Sequence, residues 1–395
     1  MKILVNTSSL IPPLTGIGRY TLQLLQILLQ HPDVRQVVGL TPTGLISQQK
    51  LQQLLLQFEP QDNPRTQEAE IKRSILRSWI ASLPGARPLW RKLRNFQTRS
   101  NASQLRGFVY WEPNYLLTPF DGPSVATIHD ISHLRMPEYH PDARIAEMNQ
   151  LMPETLARAT RLIAVSEFTR GEIQSSLQPT QPIDIVSPAV DPSFLQVTEA
   201  AREEVRQRHQ LPPEYILSVA TLEPRKNLSR LVEAYTALPE SLRLRYPLVL
   251  AGSRGWHTSS LEALIRPLVE NGQIRVLGYV DQVHMPALYA NASLMAYVSL
   301  YEGFGMPIAE AMAAGTPVLT SATSSMPEVA AGHALLADPT NTQSIREQLE
   351  RLLTDPLLRQ QMAQSARQHA SAFNWSKSAE RLICSLKAAE KDYSR

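Results

Sequence analysis

Tyr301-Glu302-Gly303-Phe304-Gly305-Met306-Pro307-Ile308-Ala309-Glu310-Ala311-Met312-Ala313-Ala314-Gly315 is the stretch whose reading decides the fold. It follows the apolar run Ala292-Ser293-Leu294-Met295-Ala296-Tyr297-Val298, which reads as a buried strand. Gly303 and Gly305 let the backbone turn tightly and approach a ligand closely. Pro307 suits the first helical position, where its missing N–H costs nothing. Residues 308–314 favour helix, and Gly315 is a natural stop. The prediction is strand, glycine loop, helix N-terminus. Such a unit gathers free N–H groups and the positive end of a helix at one point, which suits a phosphate. Glu302 and, eight residues on, Glu310 bracket it. From the residues alone, an ordinary α/β connection with solvated glutamates stays open beside the anion-site reading.

The same pattern recurs on both sides. A strand over 215–220 leads into Thr221-Leu222-Glu223-Pro224-Arg225-Lys226-Asn227 and a helix over 228–238. Two fixed cations at the end of a strand make a diphosphate clamp; a surface turn is the plainer alternative. Further strands are expected at 247–252, 274–280, 316–320 and 335–339. In the first half, a strand over 2–6 runs into Pro12-Pro13-Leu14-Thr15-Gly16-Ile17-Gly18-Arg19-Tyr20 and a helix to about residue 30. Gly16 and Gly18 could cradle a phosphate or sugar. The loop lacks the third glycine and the later acidic residue of a dinucleotide fingerprint. Strands over 34–40 and 108–111 and an exposed helix over 48–57 follow. Then comes Ser124-Val125-Ala126-Thr127-Ile128-His129-Asp130, whose polar pair falls at the carboxyl end of a strand, where open α/β sheets place their sites. A lone His is more often structural, and Asp130 could equally cap the next turn. Ser166 with Thr169 is first of all a helix N-cap. Residues 196–213 are charged, helical at first and proline-ended, and read as the linker between two strand–helix series.

Composition bounds the class. The chain has 395 residues, enough for two or three domains, and 43% hydrophobic content supplies their cores. A net charge of +3 is not that of a general nucleic-acid binder. Cys384 is the only cysteine, which excludes a disulfide framework and a cysteine-built zinc site. No leader is read at Met1-Lys2, and no apolar run approaches the roughly 18 residues that span a bilayer. The expectation is a soluble, cytoplasmic protein.

The charge is unevenly spread. Segment 71–107 holds nine of the 39 basic residues and none of the 36 acidic ones, so the rest is net negative. Ile71, Ile75, Trp79 and Ile80 form an apolar helical face, with Trp90 and Phe96 beyond. A basic face with aromatics opposite suits the anionic inner face of a membrane, where each Lys or Arg adds about 1 kcal/mol. A groove for a phosphorylated or lipid-diphosphate acceptor and a solvated helical pair are both compatible; RNA is a minor alternative.

The whole string at 301–315 resembles the E-x7-E signature of retaining glycosyltransferases of the GT-B type, in the bacterial group 1 or family 4. The resemblance spans nearly the whole chain, is strongest in the second half and weakest over 46–108. It implies an α/β fold, GT-B, of two doubly wound Rossmann-like domains facing across a cleft. The acceptor-side domain would be 1–195 plus a helix at 376–395 crossing back, and the donor domain 196–375. It implies Glu302 at the donor sugar, Glu310 on the ribose hydroxyls, Gly303 in the donor-binding loop, and N–H groups of Phe304 and Gly305 toward sugar or diphosphate. Arg225 and Lys226 would hold the diphosphate, although the family's usual R-x4-K spacing is compressed here to adjacent residues. Tyr279 and Val280 would lie at the base, His129 at the sugar or positioning the acceptor with Asp130 beside it, and Gly16 and Gly18 near the diphosphate and acceptor. His129, Arg225, Lys226 and Glu302 are the candidate catalytic residues.

The implied activity is transfer of a hexose from a nucleotide sugar to a hydroxyl of a glycan or lipid-linked acceptor in cell-surface polysaccharide synthesis. The H-D, E-P-R-K-N and Y-E-G-F-G-M-P strings look most like GDP-dependent mannosyl- or rhamnosyltransferases. No metal or other cofactor is expected, since the chain holds no D-x-D triplet. A nucleotide-sugar 2-epimerase and a non-catalytic nucleotide-sugar-binding protein share the scaffold and stay open.

Overall fold

A computed structural model describes residues 1–12, 14–41, 44–58, 101, 103–256 and 258–394. Most of the basic segment 71–107, with its membrane and acceptor readings, lies outside the described residues. The chain forms two compact units: Met1–Ile131 with Asp142–Ser187 and Trp375–Arg395, and Ser132–Pro141 with Pro188–Asn374. Each carries one sheet, and the periodic apolar runs supply its strands.

In the first unit the described strands are β1 (Lys2–Asn6), β2 (Gln36–Thr41), β3 (Gly44–Ile46), β4 (Phe108–Glu112), β5 (Ser124–Ile128), β6 (Arg161–Ala164) and β7 (Ile183–Ile185). Their order is β3-β2-β1-β4-β5-β6-β7. All neighbours are parallel except β2 and β3, a short antiparallel hairpin whose second strand the sequence reading omits. The central strands β1, β4, β5 and β6 are near-continuously buried, as a sheet covered on both faces requires, while the edge strands β3 and β7 are half-buried. Helix Gln48–Leu56, expected to be exposed, buries Leu51 and Leu55. The predicted cap holds: Ser166 Oγ accepts from Thr169 N–H at 3.0 Å and opens helix Glu167–Leu177. Helix Trp375–Tyr393 packs on helix Gly16–Leu28 and on β5.

In the second unit β8 (Ile216–Val219), β9 (Leu248–Ala251), β10 (Ile274–Gly278), β11 (Leu294–Tyr297), β12 (Val318–Ser321) and β13 (Leu335–Ala337) are all parallel, in the order β10-β9-β8-β11-β12-β13. Helix Glu199–Arg208 is not a linker. It packs on helix Met285–Asn291, where Arg202 Nε donates to Asn291 Oδ1 at 3.1 Å and Asn291 Nδ2 to Arg202 O at 2.8 Å. Its polar composition hid the single apolar anchor, Val205.

Both sheets reverse their winding once, at β1/β4 in the first unit and at β8/β11 in the second. Two connections leaving neighbouring strands in opposite directions open a crevice at the carboxyl ends, and ligands bind there in doubly wound folds. Next to the second reversal, Gly252 takes φ +148, and a Cβ there would fall 1.9 Å from the Ala220 carbonyl oxygen. Only glycine lets the loop after β9 lie against the loop after β8. No helix among the described residues is long and apolar enough to cross a membrane.

Candidate functional site

The loops after β8 and β11 meet at the reversal of the second sheet. Pro224–Lys226 is a single 3-10 turn, ended by Asn227 at φ +59. Asn227 Nδ2 donates to Val298 O at 2.9 Å and to Pro339 O at 2.8 Å, and Leu300 N–H donates to Arg225 O at 2.9 Å. These bonds bolt the cation-bearing turn to the loop that carries Glu302.

Glu302 is buried and meets both expected cations. Its Oε1 accepts from Lys226 Nζ at 2.7 Å and from the Tyr297 hydroxyl at 2.7 Å, and its Oε2 from Arg225 Nη1 at 3.1 Å. Lys226 Nζ also donates to the Tyr297 oxygen at 3.2 Å. Arg225 is spread further, donating to the Tyr301 carbonyl at 2.6 Å and to Glu223 Oε1 at 2.7 Å. So adjacent residues in one turn reach one carboxylate from two sides, despite the compressed spacing.

Electrostatics follow from this packing. Burial alone would raise the Glu302 carboxyl, but the charges of Lys226 and Arg225 and the hydrogen bonds from Lys226 and Tyr297 outweigh it, pulling it from 4.5 to about 2. Burial, and then the Glu302 charge, push the Tyr297 phenol well above its ordinary value, so it stays a donor. A carboxylate depressed on folding adds stability that is complete above its unfolded value. That stability is lost as pH falls toward the folded value. The stability gap between the wild type and Glu302→Gln, measured by urea unfolding, is therefore constant at neutral pH and narrows from pH 4.5 down toward 2. A gap independent of pH across that window contradicts the paired carboxylate.

Beyond Glu302 the chain enters helix Met306–Ala313 through Gly305 at φ +97. Gly305 alone takes the left-handed turn; Gly303 does not. Pro307 is the second helical residue rather than the first, still within the turn whose N–H groups lack intrahelical acceptors. Among the described residues no group accepts from the N–H of Phe304 or Gly305. Ser325 Oγ lies 2.9 Å from the carbonyls of both Glu302 and Phe304, which share its proton, and Ser324 Oγ accepts from Glu302 N–H at 3.1 Å. Glu310 is buried in the helix and accepts from the Tyr289 hydroxyl at 2.9 Å. Gly315, at φ +76, ends the helix in a Schellman arrangement, with Gly315 N–H on Met312 O and Thr316 N–H on Ala311 O. At the end of β10, Tyr279 is exposed and Val280 buried, and Gly278 O accepts from Gly252 N–H at 2.7 Å.

The first unit holds the other expected residues. Gly16 and Gly18 lie in the first turn of helix Gly16–Leu28 and not in a loop before it. Thr15 caps that turn by accepting from Gly18 N–H at 3.3 Å. A Cβ on Gly18 would come within 2.7 Å of Ser9 O, so this glycine serves close packing. His129 follows β5 directly. Its Nε2 meets the Pro113 carbonyl at 2.7 Å, and its ring is edge-on to Tyr20 at 5.2 Å and Tyr115 at 5.6 Å. Burial lowers its pKa against the opposing pull of that carbonyl and of Asp130, which favours the neutral ring. A carbonyl only accepts, so Nε2 carries the proton and Nδ1 presents a lone pair. Asp130 is half-buried beside it.

The structure thus brings Arg225, Lys226 and Glu302 into one cluster, with Phe304 and Gly305 next in the chain. Tyr297, Glu223, Ser324 and Ser325 join it and were absent from the candidate set. Tyr297 reads as one more apolar strand residue, and only its place at the strand's carboxyl end hints at a polar task.

Two family models match the chain: "Glycosyltransferase Family 4" over residues 15–194 and "Glycosyl transferases group 1" over residues 201–369. The O-antigen chain mannosyltransferase B of Escherichia coli is 33% identical over 377 residues, which cover 95% of this chain and 96% of that one. Sucrose-phosphate synthase from Thermosynechococcus elongatus superposes with a TM-score of 0.75 at 18% identity, covering 98% of this chain and 100% of that one. Anabaena Alr3699/HepE, solved in complex with UDP-glucose, does so with a TM-score of 0.69 at 16% identity, covering 98% and 100%. Two parallel α/β sheets with this strand order are the GT-B fold, and this chain belongs to the group 1, family 4 glycosyltransferases.

Proposed function

We propose that this enzyme transfers mannose from GDP-mannose, with retained anomeric configuration, to a hydroxyl of a growing cell-surface polysaccharide. The observation that carries the reading is the Arg225–Glu302–Lys226 cluster at the strand reversal of the second unit, directly before a helix N-terminus. The likeness to an O-antigen chain mannosyltransferase supports the sugar and the pathway class.

The residues act as follows. Arg225 and Lys226 take the diphosphate, aided by the N–H groups of Phe304 and Gly305, and neutralise the charge that grows as the anomeric C–O bond breaks. Fixed donors aimed at developing charge are the largest single term in such catalysis. The two cations and the helix end do this without a metal. Glu302, released from part of its pairing, faces the sugar as positive charge develops at the anomeric carbon. Glu310 binds the ribose hydroxyls, and Tyr279 and Val280 flank the base. His129 Nδ1 accepts from a sugar hydroxyl, with Asp130 beside it. The acceptor hydroxyl attacks the anomeric carbon from the face the diphosphate leaves, and its proton passes to the leaving phosphate oxygen, so no separate base is needed.

Thermal unfolding with GDP, UDP and ADP tests the donor. A ligand at 100 times its dissociation constant stabilises by about 2.7 kcal/mol. GDP and GDP-mannose raise the transition and the other two nucleotides do not. A shift with UDP or ADP and none with GDP overturns the guanine donor and leaves the transferase.

A further inference from the structure

The first unit buries a carboxylate that the transfer chemistry leaves unused. Glu112 ends β4, beside the end of β1, where the first sheet reverses, and is 1% exposed. Its Oε2 accepts from Asn6 Nδ2 at 2.7 Å and from the Tyr110 hydroxyl at 2.7 Å, while its Oε1 accepts from Asn114 N–H at 3.1 Å. Asn6 is itself fixed, since its Oδ1 accepts from Ser8 N–H at 2.9 Å. Three donors converging on one side chain call for an acceptor on every edge. A carboxylate offers that; an amide must set its NH2 against one of the donors.

The bond to Asn114 N–H closes a turn around Pro113, and the Pro113 carbonyl is the group that accepts from His129 Nε2. The far end of the turn is held as well, because Tyr115 N–H donates to Thr127 O at 3.0 Å on the neighbouring strand. Tyr115 takes φ +59, which sets its ring against the His129 ring. We propose that Glu112 is a positioning residue. Through the locked turn it aims the Pro113 carbonyl, holds His129 in its Nε2–H tautomer and keeps Nδ1 as the acceptor. This rests on the reading of His129 as a sugar-binding residue. It adds a reason for a buried carboxylate at a place where an apolar residue would serve the sheet alone.

The test uses the full chain, with Glu112→Gln as the main variant and Tyr110→Phe as the second, which removes one donor without removing volume. The His129 tautomer is read from side-chain 15N shifts, assigned by comparison with His129→Gln. Turnover and GDP affinity are measured alongside. In Glu112→Gln the His129 pattern moves from a pure Nε2–H form to a mixture. Turnover falls about 10- to 100-fold, as small misplacements of reacting groups do, while GDP affinity is unchanged. Tyr110→Phe gives the same changes to a smaller extent and decides the matter if Glu112→Gln does not fold. An unchanged His129 pattern in the folded variants overturns the proposal. Turnover unaffected by His129→Ala overturns the reading of His129 instead, and the 15N pattern keeps the two results apart.

Discussion

Lys226→Met folds and turns over about 100- to 1,000-fold more slowly than the wild type, the loss that follows removal of one fixed donor from a developing charge. Met keeps the length of the side chain and its packing over the Tyr297 ring, where the Lys226 Nζ lies 5.6 Å from the ring centre. What goes is the cation 2.7 Å from Glu302 Oε1. Arg225 cannot replace it, since its guanidinium is already divided among Glu302, Glu223 and the Tyr301 carbonyl. On the proposed mechanism the leaving diphosphate then loses one of its two counter-charges, and the effect falls on the chemical step. Steady-state kinetics with saturating donor and acceptor read it directly. Turnover within threefold of the wild type removes Lys226 from the clamp.

Glu302→Gln separates binding from chemistry with the opposite sign in each. In the free protein the carboxylate occupies both cations. Gln has the same shape and no charge, so Arg225 and Lys226 are left for the diphosphate alone, and GDP binds as tightly or more tightly. Turnover falls at least about 100-fold, because on the proposed mechanism this carboxylate carries the negative charge that faces the anomeric carbon. Calorimetry with GDP beside kinetics with the sugar donor measures both. Loss of GDP affinity together with unchanged turnover would make Glu302 a structural partner of the cations and nothing more.

The parts of this account that were legible in the sequence are those governed by local rules. An apolar run of strand length, a glycine at a helix entry and a helix-forming run ended by glycine specify β11, the loop at Gly305 and helix Met306–Ala313 with little help from the rest of the chain. The Arg225-Lys226 pair stood out because two cations at a strand end have few local uses. Partnerships across the sheet were not legible. Tyr297 and Lys226 are 71 positions apart, and Asn6 and Glu112 are 106. Periodicity says which residues face inward and is silent on which polar groups meet there. Gly16 and Gly18 misled for a related reason. Glycine next to a strand suggests a loop, but here the Thr15 cap starts the helix at Gly16, and Gly18 packs against Ser9 O. Helix Glu199–Arg208 looked like a linker because Val205 is its one buried residue, and the rest of its docking is by polar bonds of Arg202 and Arg206 with Asn291.

The most direct measurement follows the anomeric proton of the product by NMR when the enzyme is given GDP-α-mannose and an oligomannose acceptor. The account predicts a new α-mannosyl linkage from the first turnover, dependent on Lys226 and Glu302. A β-linked product, or release of free mannose without a new linkage, would contradict it.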